Sequence, residues 1–571
     1  MPPGRAAIFA SLLLLIGCST ARYRQSADRD TLRAIEQKTP QVPNMDPHFT
    51  IEQTKALSLE GLPEMTEIEE ALGADGEAER GAKMISLERA LDIAVTHSRT
   101  YQTQKEQLYL QGLALTLARH QFAPIFSARG QGDYQVTTEE VRVGIDALTG
   151  APRAIAAQDA SLVEQHRLTG QGSAGATLLL RSGARLATSF TTDFLRYLSG
   201  DPRAVTSSQL GATLVQPLWR GAGYRVTMEN LTQSERSLLY ALRDFSQFRR
   251  DFSVQIATAY YGVLQNRDGV RNSYRGLQNF RRNVARERAL AEEGLRAQAS
   301  LGLLKQNELT TETSWINAIR SYKQSLDQFK IQLGLSTDAR VVLDDNELTQ
   351  LKIQHPDIAP ESAQEVALKT RLDFYNARDR LEDSIRRIGI AADSLKAQVD
   401  LVGSAGINSK PGQRNGFALP DPDRYRWDAG LNVDLPFERV AQRNAYRTAL
   451  IVREQTRRQL ELTEDQIKFK IRDDWRALDQ ARRNYEIAEI GVELAARRVQ
   501  EQDLRAELGR STAREQVDAQ NDLIAQKNLR TQALIGHTIA RLQFWNDMGI
   551  LFIKENGQWE NANEQDHAVK N

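Results

Sequence analysis

The sequence predicts a mainly α-helical chain with a β portion, built twice over. Three observations predict this. An alternating run closing on Gln216-Pro217-Leu218-Trp219-Arg220 gives way to a very long helical pattern, and the same change recurs at Asp434-Leu435-Pro436-Phe437-Glu438-Arg439. Each long pattern ends at a glycine-marked turn, near Gly294 and near Gly509. Each turn leads into a similar patch, Lys305-Gln306-Asn307-Glu308-Leu309 and Ala519-Gln520-Asn521-Asp522-Leu523. An order of elements that recurs is the signature of an internal repeat, and it describes an architecture before it describes any site.

Composition narrows the class. The 571 residues carry 74 Lys+Arg against 74 Asp+Glu, so no net charge steers the chain toward nucleic acid. Charged residues make up 26% and aromatics 7%, which suits amphipathic helices with wide polar faces better than a thick core. Past the N-terminus no apolar run reaches the length of roughly 18 residues that a spanning helix needs. If the chain crosses a membrane, it does so with strands.

In chain order, Arg5 and the apolar stretch Ala6 to Ile16 read as a secretory signal over 1–17. Leu15-Ile16-Gly17 before Cys18 is similar to a bacterial lipobox, which implies cleavage before Cys18 and lipid on its sulfur and new N-terminus. Ser19 follows, with no Asp as a retention signal. Several acyl chains, each CH₂ contributing about 0.8 kcal/mol when buried, would anchor the chain stably. The alternative is an ordinary signal peptide with an incidental Cys. Residues 18–85, with Pro40, Pro43, Pro47 and Pro63 and an acidic stretch from Glu64 to Glu79, read as a tether with little regular structure.

A first repeat is expected over 86–334. Leu87, Leu91, Ala94 and Val95 recur at helical spacing, and the helix continues to about Arg119 before Pro124. Strands follow within about 125–217: Ile125 to Val136, a Gly/Ala-rich irregular stretch, a hairpin of Gly172–Leu180 and Ala184–Phe194 about Arg181-Ser182-Gly183, and a run ending at Pro217. A long helical hairpin then occupies 225–333. After a linker at 335–360, a second repeat spans 361–550, with strands at about 396–436, a long hairpin at 439–549 and a polar tail at 551–571.

The cleanest strand sets Tyr425, Trp427, Ala429, Leu431, Val433 and Leu435 against Arg426, Asp428, Gly430, Asn432 and Asp434. In a soluble sheet such alternation separates core from water; in a membrane barrel it separates lipid from lumen. Alternation alone does not distinguish them. Tyr101 and Tyr375 are 274 apart while Pro217 and Pro436 are 219 apart, so the first repeat is longer by 55, about one loop plus one hairpin. In each repeat two half-length helices nearly match the long one, which at 1.5 Å rise spans on the order of 100 Å. They are expected to stack end to end beside it, because helices so long need partners along their whole length.

Lipobox, doubled strand-to-long-helix plan and turn motifs together resemble the TolC-type outer-membrane efflux protein family, in its lipoprotein form, over about 86–550. The resemblance implies a homotrimer in which a shared β-barrel, usually four strands per protomer, continues as an α-helical periplasmic tunnel. It implies an outer-membrane location, a periplasmic adaptor protein and an inner-membrane transporter as partners, and no cofactor. Pro217 and Pro436 match the family's barrel-to-helix prolines, which suit a helix start. Gly294, Gly509, Arg510 and Ser511 match the hairpin tips that would contact the adaptor. Asp518, with Glu515 three residues earlier on the same helical face, matches the acidic ring of the pore constriction. Repeated around a threefold axis, these carboxylates would prefer cations and resist closure. The alternative for both is a solvated helix face. The first-repeat turn, Ala299-Ser300-Leu301-Gly302, has no acid there. The extra hairpin near 172–194 departs from the family pattern and puts the barrel size in question.

Trp219, Phe437, Tyr425 and Trp427 stand near strand ends, where aromatics suit a membrane–water interface; for Trp219 and Phe437 a packed core is the equal alternative. None of the seven His is paired at metal-ligand spacing, and no P-loop, dinucleotide fingerprint or Gly-x-Ser-x-Gly elbow occurs, so no enzyme is expected. The expected function is a passive exit duct for small molecules. The alternatives are the outer-membrane duct of a protein secretion system and a poreless coiled-coil lipoprotein spacer.

Overall fold

The computed structural model describes residues 19–52, 58–141, 143–145, 152–154, 161–198, 204–294, 298–410, 419–508 and 510–559. The signal segment 1–17, Cys18 and Gly509 lie outside them. In chain order the main elements are α1 (Thr20–Lys38), β1 (Lys83–Ile85), α2 (Leu87–His97), α3 (Arg99–His120), β2 (Ile125–Val141), β3 (Ser161–Leu179), β4 (Arg185–Tyr197), β5 (Ala204–Pro217), α4 (Glu229–Glu292) and α5 (Gln298–Leu333). Then come β6 (Val341–Leu343), α6 (Pro360–Thr370), α7 (Leu372–Asp393), β7 (Gln398–Asn408), β8 (Tyr425–Asp434), α8 (Val440–Glu507) and α9 (Ala513–Asp547). No described helix is long and apolar enough to cross a membrane. The chain divides into two compact units. One comprises the chain up to Gly112, Leu238–Arg380 and the chain from Arg457 onward; the other comprises Leu113–Ser237 and Leu381–Thr456.

The helical unit shows the duplication at a level the sequence did not reveal. α2 and α6 are each 11 residues long, and α3 and α7 are each 22. What reads as one helix in each repeat is therefore broken once, at Ser98 (φ −64°, ψ 127°) and at Arg371 (φ −70°, ψ 124°). Each break receives the end of a returning helix. After α5, Gly334 takes φ +82° against the His97 carbonyl; after α9, Gly549 takes φ +77° against Thr370 and Arg371. Arg371 Nη1 donates to the Asp547 carbonyl at 2.9 Å. A Cβ on Gly334 would stand 2.1 Å from the His97 oxygen. Gly334→Ala is thus expected to cost about 1–3 kcal/mol of unfolding free energy. Gly81→Ala, at φ +75° with nothing within 4 Å, should cost less, and chemical denaturation of the two variants checks the ordering.

The stretch before the first repeat is more ordered than its composition suggests. α1 opens on Ser19, whose hydroxyl accepts from the Arg22 amide. It buries Thr31, Ala34 and Ile35, a stripe spaced for one helical face, over Gly112, while Tyr109 donates to Asp28 at 2.5 Å. Phe49 then meets Phe245 edge-on at 5.7 Å, and Arg249 of α4 donates to the Asn44 carbonyl at 2.7 Å. β1 pairs in parallel with β6, so the expected tether and the expected linker meet as two strands. Beside them Arg267, 1% exposed, donates to Glu79 at 3.0 Å and lies 3.4 Å from Asp345; Tyr322 donates to Glu79 at 2.6 Å. Burial next to that carboxylate pushes the Tyr322 phenol well above its ordinary range.

The other unit carries one antiparallel six-stranded sheet, in the order β8-β7-β5-β4-β3-β2. The stretch read as irregular before Gln171 is strand from Ser161 onward, and β2 runs on to Val141. The extra hairpin stands in the same sheet as the other strands, as β3 and β4, so the described residues supply six strands to this sheet where the resemblance implies four.

Candidate functional site

The sheet register sorts its side chains by face. Ala128 of β2 stands opposite Ala174, which leads across the ladder to Phe190, Leu210, Ile407 and Tyr425. Because successive side chains alternate, every second residue from these belongs to the same face. That face holds Phe126, Tyr134, Leu168, Leu186, Phe194, Leu214, Leu401, Trp427, Leu431 and Val433. The opposite face holds Arg129, Gln131, Asp133, Gln171, Thr191, Asp193, Gln209, Ser404, Asp428 and Asn432. The apolar face is not a buried core: Phe126 is 80% exposed, Trp427 71% and Leu431 59%. A contiguous exposed apolar surface of this kind marks a surface that meets lipid or protein. Trp219 (54%) and Phe437 (99%) are exposed too, so neither is packed as a core residue.

The two prolines mark the strand-to-helix passage but start no helix. Pro217 is the last residue of β5, level with Asp400, and six residues including Gly221 (φ +76°) and Gly223 (φ +91°) precede the first helical turn at Tyr224. Pro436 lies between β8 and α8, where its carbonyl accepts from Arg439 Nε at 3.0 Å. Past Pro217 the pairing with β7 goes on, Leu218 donating to the Val399 carbonyl at 2.7 Å, while β8 ends its pairing at Asp434, two residues before Pro436.

The helix turns are built around a small core of Phe280, Val284, Leu304, Ala513 and Val517, with Leu301 and Leu303 against it. Along α4 and α9 this core continues as a polar ladder. Arg286 donates to Gln516 at 3.4 Å, Asn279 to Gln520 at 3.2 Å and Asn272 to Asn528 at 2.8 Å, and Thr531 donates to Asp268 at 2.6 Å. Between these rungs Gly276 lets Ile524 approach; a Cβ there would lie 2.3 Å from the Ile524 methyl. These directional side-chain hydrogen bonds fix the axial register of the two helices more sharply than apolar contacts would.

Of the expected tip residues, Gly294 is exposed at φ +74° with open space around it, and Arg510 is exposed, its N–H donating to the Arg505 carbonyl at 2.7 Å. Ser511 differs from the tip-contact reading: it is 2% exposed, and its hydroxyl donates inward to Gln502 at 2.8 Å. The sequence could not separate these neighbours, because a polar turn residue faces inward or outward according to a partner nine positions away.

The acids of α9 divide by role. Glu515, Asp518 and Asp522 share one exposed stripe, while Gln516, Val517, Ala519 and Gln520 are buried. Glu515 closes a capping box with Thr512, accepting from its N–H at 2.8 Å and from its hydroxyl at 2.8 Å, while its own N–H donates to the Thr512 hydroxyl at 3.3 Å. The Thr512 N–H holds the Glu515 carboxyl below the usual carboxylate range, and the Thr512 hydroxyl adds to this. Asp522 is paired with Arg498 of α8. Asp518 makes no hydrogen bond or ion pair among the described residues. Of the two acids expected at the constriction, one therefore closes its own helix and the other is left bare. Far from this turn, Asp46, His48 and Glu555 converge at the surface, His48 Nδ1 lying 3.2 Å from Glu555.

The sequence matches no protein-family model and no curated protein. Solved structures do match. The outer-membrane channel OprN aligns with a TM-score of 0.56 at 14% identity, over 89% of this chain and 99% of that one. The Campylobacter jejuni CmeC outer membrane channel aligns with a TM-score of 0.58 at 13% identity, over 90% and 97%. The open state of the Neisseria gonorrhoeae MtrE outer membrane channel aligns with a TM-score of 0.55 at 13% identity, over 90% and 99%. The likeness covers nearly the full length of each of these channels, and with it the chain is shown to have the fold of the TolC-type outer-membrane channels.

Proposed function

We propose that this chain is the outer-membrane duct of a multi-component export system, a passive path for small molecules. The observation that carries this reading is the sheet: six antiparallel strands with one exposed apolar face and one polar face. Lipid would cover the first and water fill the space beside the second. Three copies form the channel, and the energy for export comes from an inner-membrane transporter reached through a periplasmic adaptor. The exposed turns at Gly294 and Arg510 are the surfaces offered to that adaptor, together with Gly509. Lipid on Cys18 adds an anchor. Asp518, which has no hydrogen-bond or ion-pair partner among the described residues, supplies the constriction, its carboxylate repeated around the axis where like charges favour cations. The duct performs no chemistry.

Single-channel conductance in planar bilayers tests both parts. Purified trimer should carry a cation-preferring current, and Asp518→Asn should weaken that preference. Unchanged selectivity in the variant would remove Asp518 from the constriction and leave the duct. A folded trimer with no conductance under any voltage or salt would favour the poreless spacer.

A further inference from the structure

The sheet ends in two bare edges. Among the described residues β8 bonds only to β7 and β2 only to β3, and every residue of β8 is exposed. Open edges are not tolerated in a bilayer, because each unpaired N–H and C=O lacks any partner there. Six strands are also too few to close on themselves, since barrels begin at about eight. Each edge must therefore meet another chain. Its fitting partner is the opposite edge of a second copy: the strands alternate in direction and their number is even, so β8 and β2 of neighbouring copies run antiparallel.

We infer that three copies close an eighteen-stranded barrel through β8–β2 pairing, with β3 and β4 as full staves of its wall. This rests on the duct reading above and fixes its bore.

The register specifies the joint. The hydrogen-bonded line through Ala128, three residues into β2, reaches Tyr425 at the first residue of β8. Setting the last residue of β8, Asp434, level with Ile125 of the next copy places Tyr425 opposite that copy's Tyr134. This offset is an even number of residues, so the apolar face stays continuous across the joint. An odd offset would turn one copy's lipid face inward. Six residues of stagger per copy make the total stagger equal to the strand number. With about 3.3 Å rise and about 4.8 Å spacing, that gives a tilt of about 35°, within the range barrels adopt. The backbone diameter is then ~34 Å, against ~23 Å for a twelve-stranded barrel of similar tilt. The outer segment would pass bulkier cargo than four strands per copy allow.

Disulfide formation in the full-length protein tests the joint. Leu431→Cys combined with Ala128→Cys places two thiols at the expected pairing, within reach of a disulfide between directly opposed strand residues. Oxidation should give covalent dimers and trimers that reductant reverses. Gly130→Cys in place of Ala128→Cys reads the next register on the same face, and a ladder there supports the joint equally. Arg129→Cys, on the opposite face, should give none. Leu431→Cys with Leu401→Cys, opposed within one chain, must cross-link without change of mass and reports that the thiol is reactive. An intact, conducting trimer that forms this internal bond but no β8–β2 bond overturns the eighteen-stranded barrel and leaves the duct standing. Absence of any trimer overturns both.

Discussion

Asp518→Cys, oxidised within the assembled trimer, should lose its current in planar bilayers and regain it on reduction. A disulfide requires Cα atoms about 4.4–6.8 Å apart. Two copies joined at this position are therefore held in a narrow state that a hydrated ion does not pass. The substitution itself should be well tolerated, because Asp518 is exposed and makes no hydrogen bond or ion pair among the described residues. The core beneath it, Val517 with Phe280 and Leu304, is untouched. Cys18 is the only native cysteine, so the unsubstituted protein is a sufficient control for unrelated cross-links. The native trimer should stay intact and denaturing gels should show a covalent dimer that reductant reverses, while the current disappears. Full current from a sample in which every trimer carries its one disulfide between two copies would show that Asp518 does not line the constriction.

The second large effect is expected far from the turns. Arg267 is 1% exposed and lies among Glu79, Asp345 and Glu69, at 3.0, 3.4 and 3.7 Å. It also donates to the Leu343 carbonyl at 3.3 Å, fastening β6 to α4. Arg267→Met keeps the length of the side chain and removes its charge. Glu79 is then buried without its main counter-ion, and breaking a buried pair on one side costs about 3–5 kcal/mol. Denaturant unfolding of the variant should show a loss of that order. Adding Glu79→Gln should recover much of it, because removing both charges of a buried pair is far milder than removing one. A single variant as stable as the parent would mean that Glu79 takes a proton or finds water instead.

The parts legible in the sequence were those whose pattern is set by one neighbour over a long distance. The two long helices show the 3.6-residue period for dozens of residues, and β8 alternates without a lapse. α1 escaped notice because its buried stripe is only Thr31, Ala34 and Ile35 in a strongly polar segment. The first part of β3 escaped because a strand rich in Gly, Ala and polar residues gives only a weak alternation. The helix breaks were invisible for another reason. Ser98 and Arg371 are not helix breakers; the chain extends there because Gly334 and Gly549 bring the returning helix ends against it. Glu515 and Asp518 look equivalent on a helical wheel. What separates them is Thr512, a legible N-cap whose spacing to Glu515 already spelled the capping box.

The exposed apolar sheet face and its two bare edges also constrain the life of the newly made protein. Before assembly, a single copy in water would carry Phe126, Trp427 and Leu431 uncovered, beside two strands ready to bond to any passing chain. Such a species is an aggregation hazard for as long as it persists. If the chain is the proposed duct, sheet formation, insertion and association are coupled steps, and the yield of channel should depend on how quickly copies meet and on escorts that shield the sheet in transit.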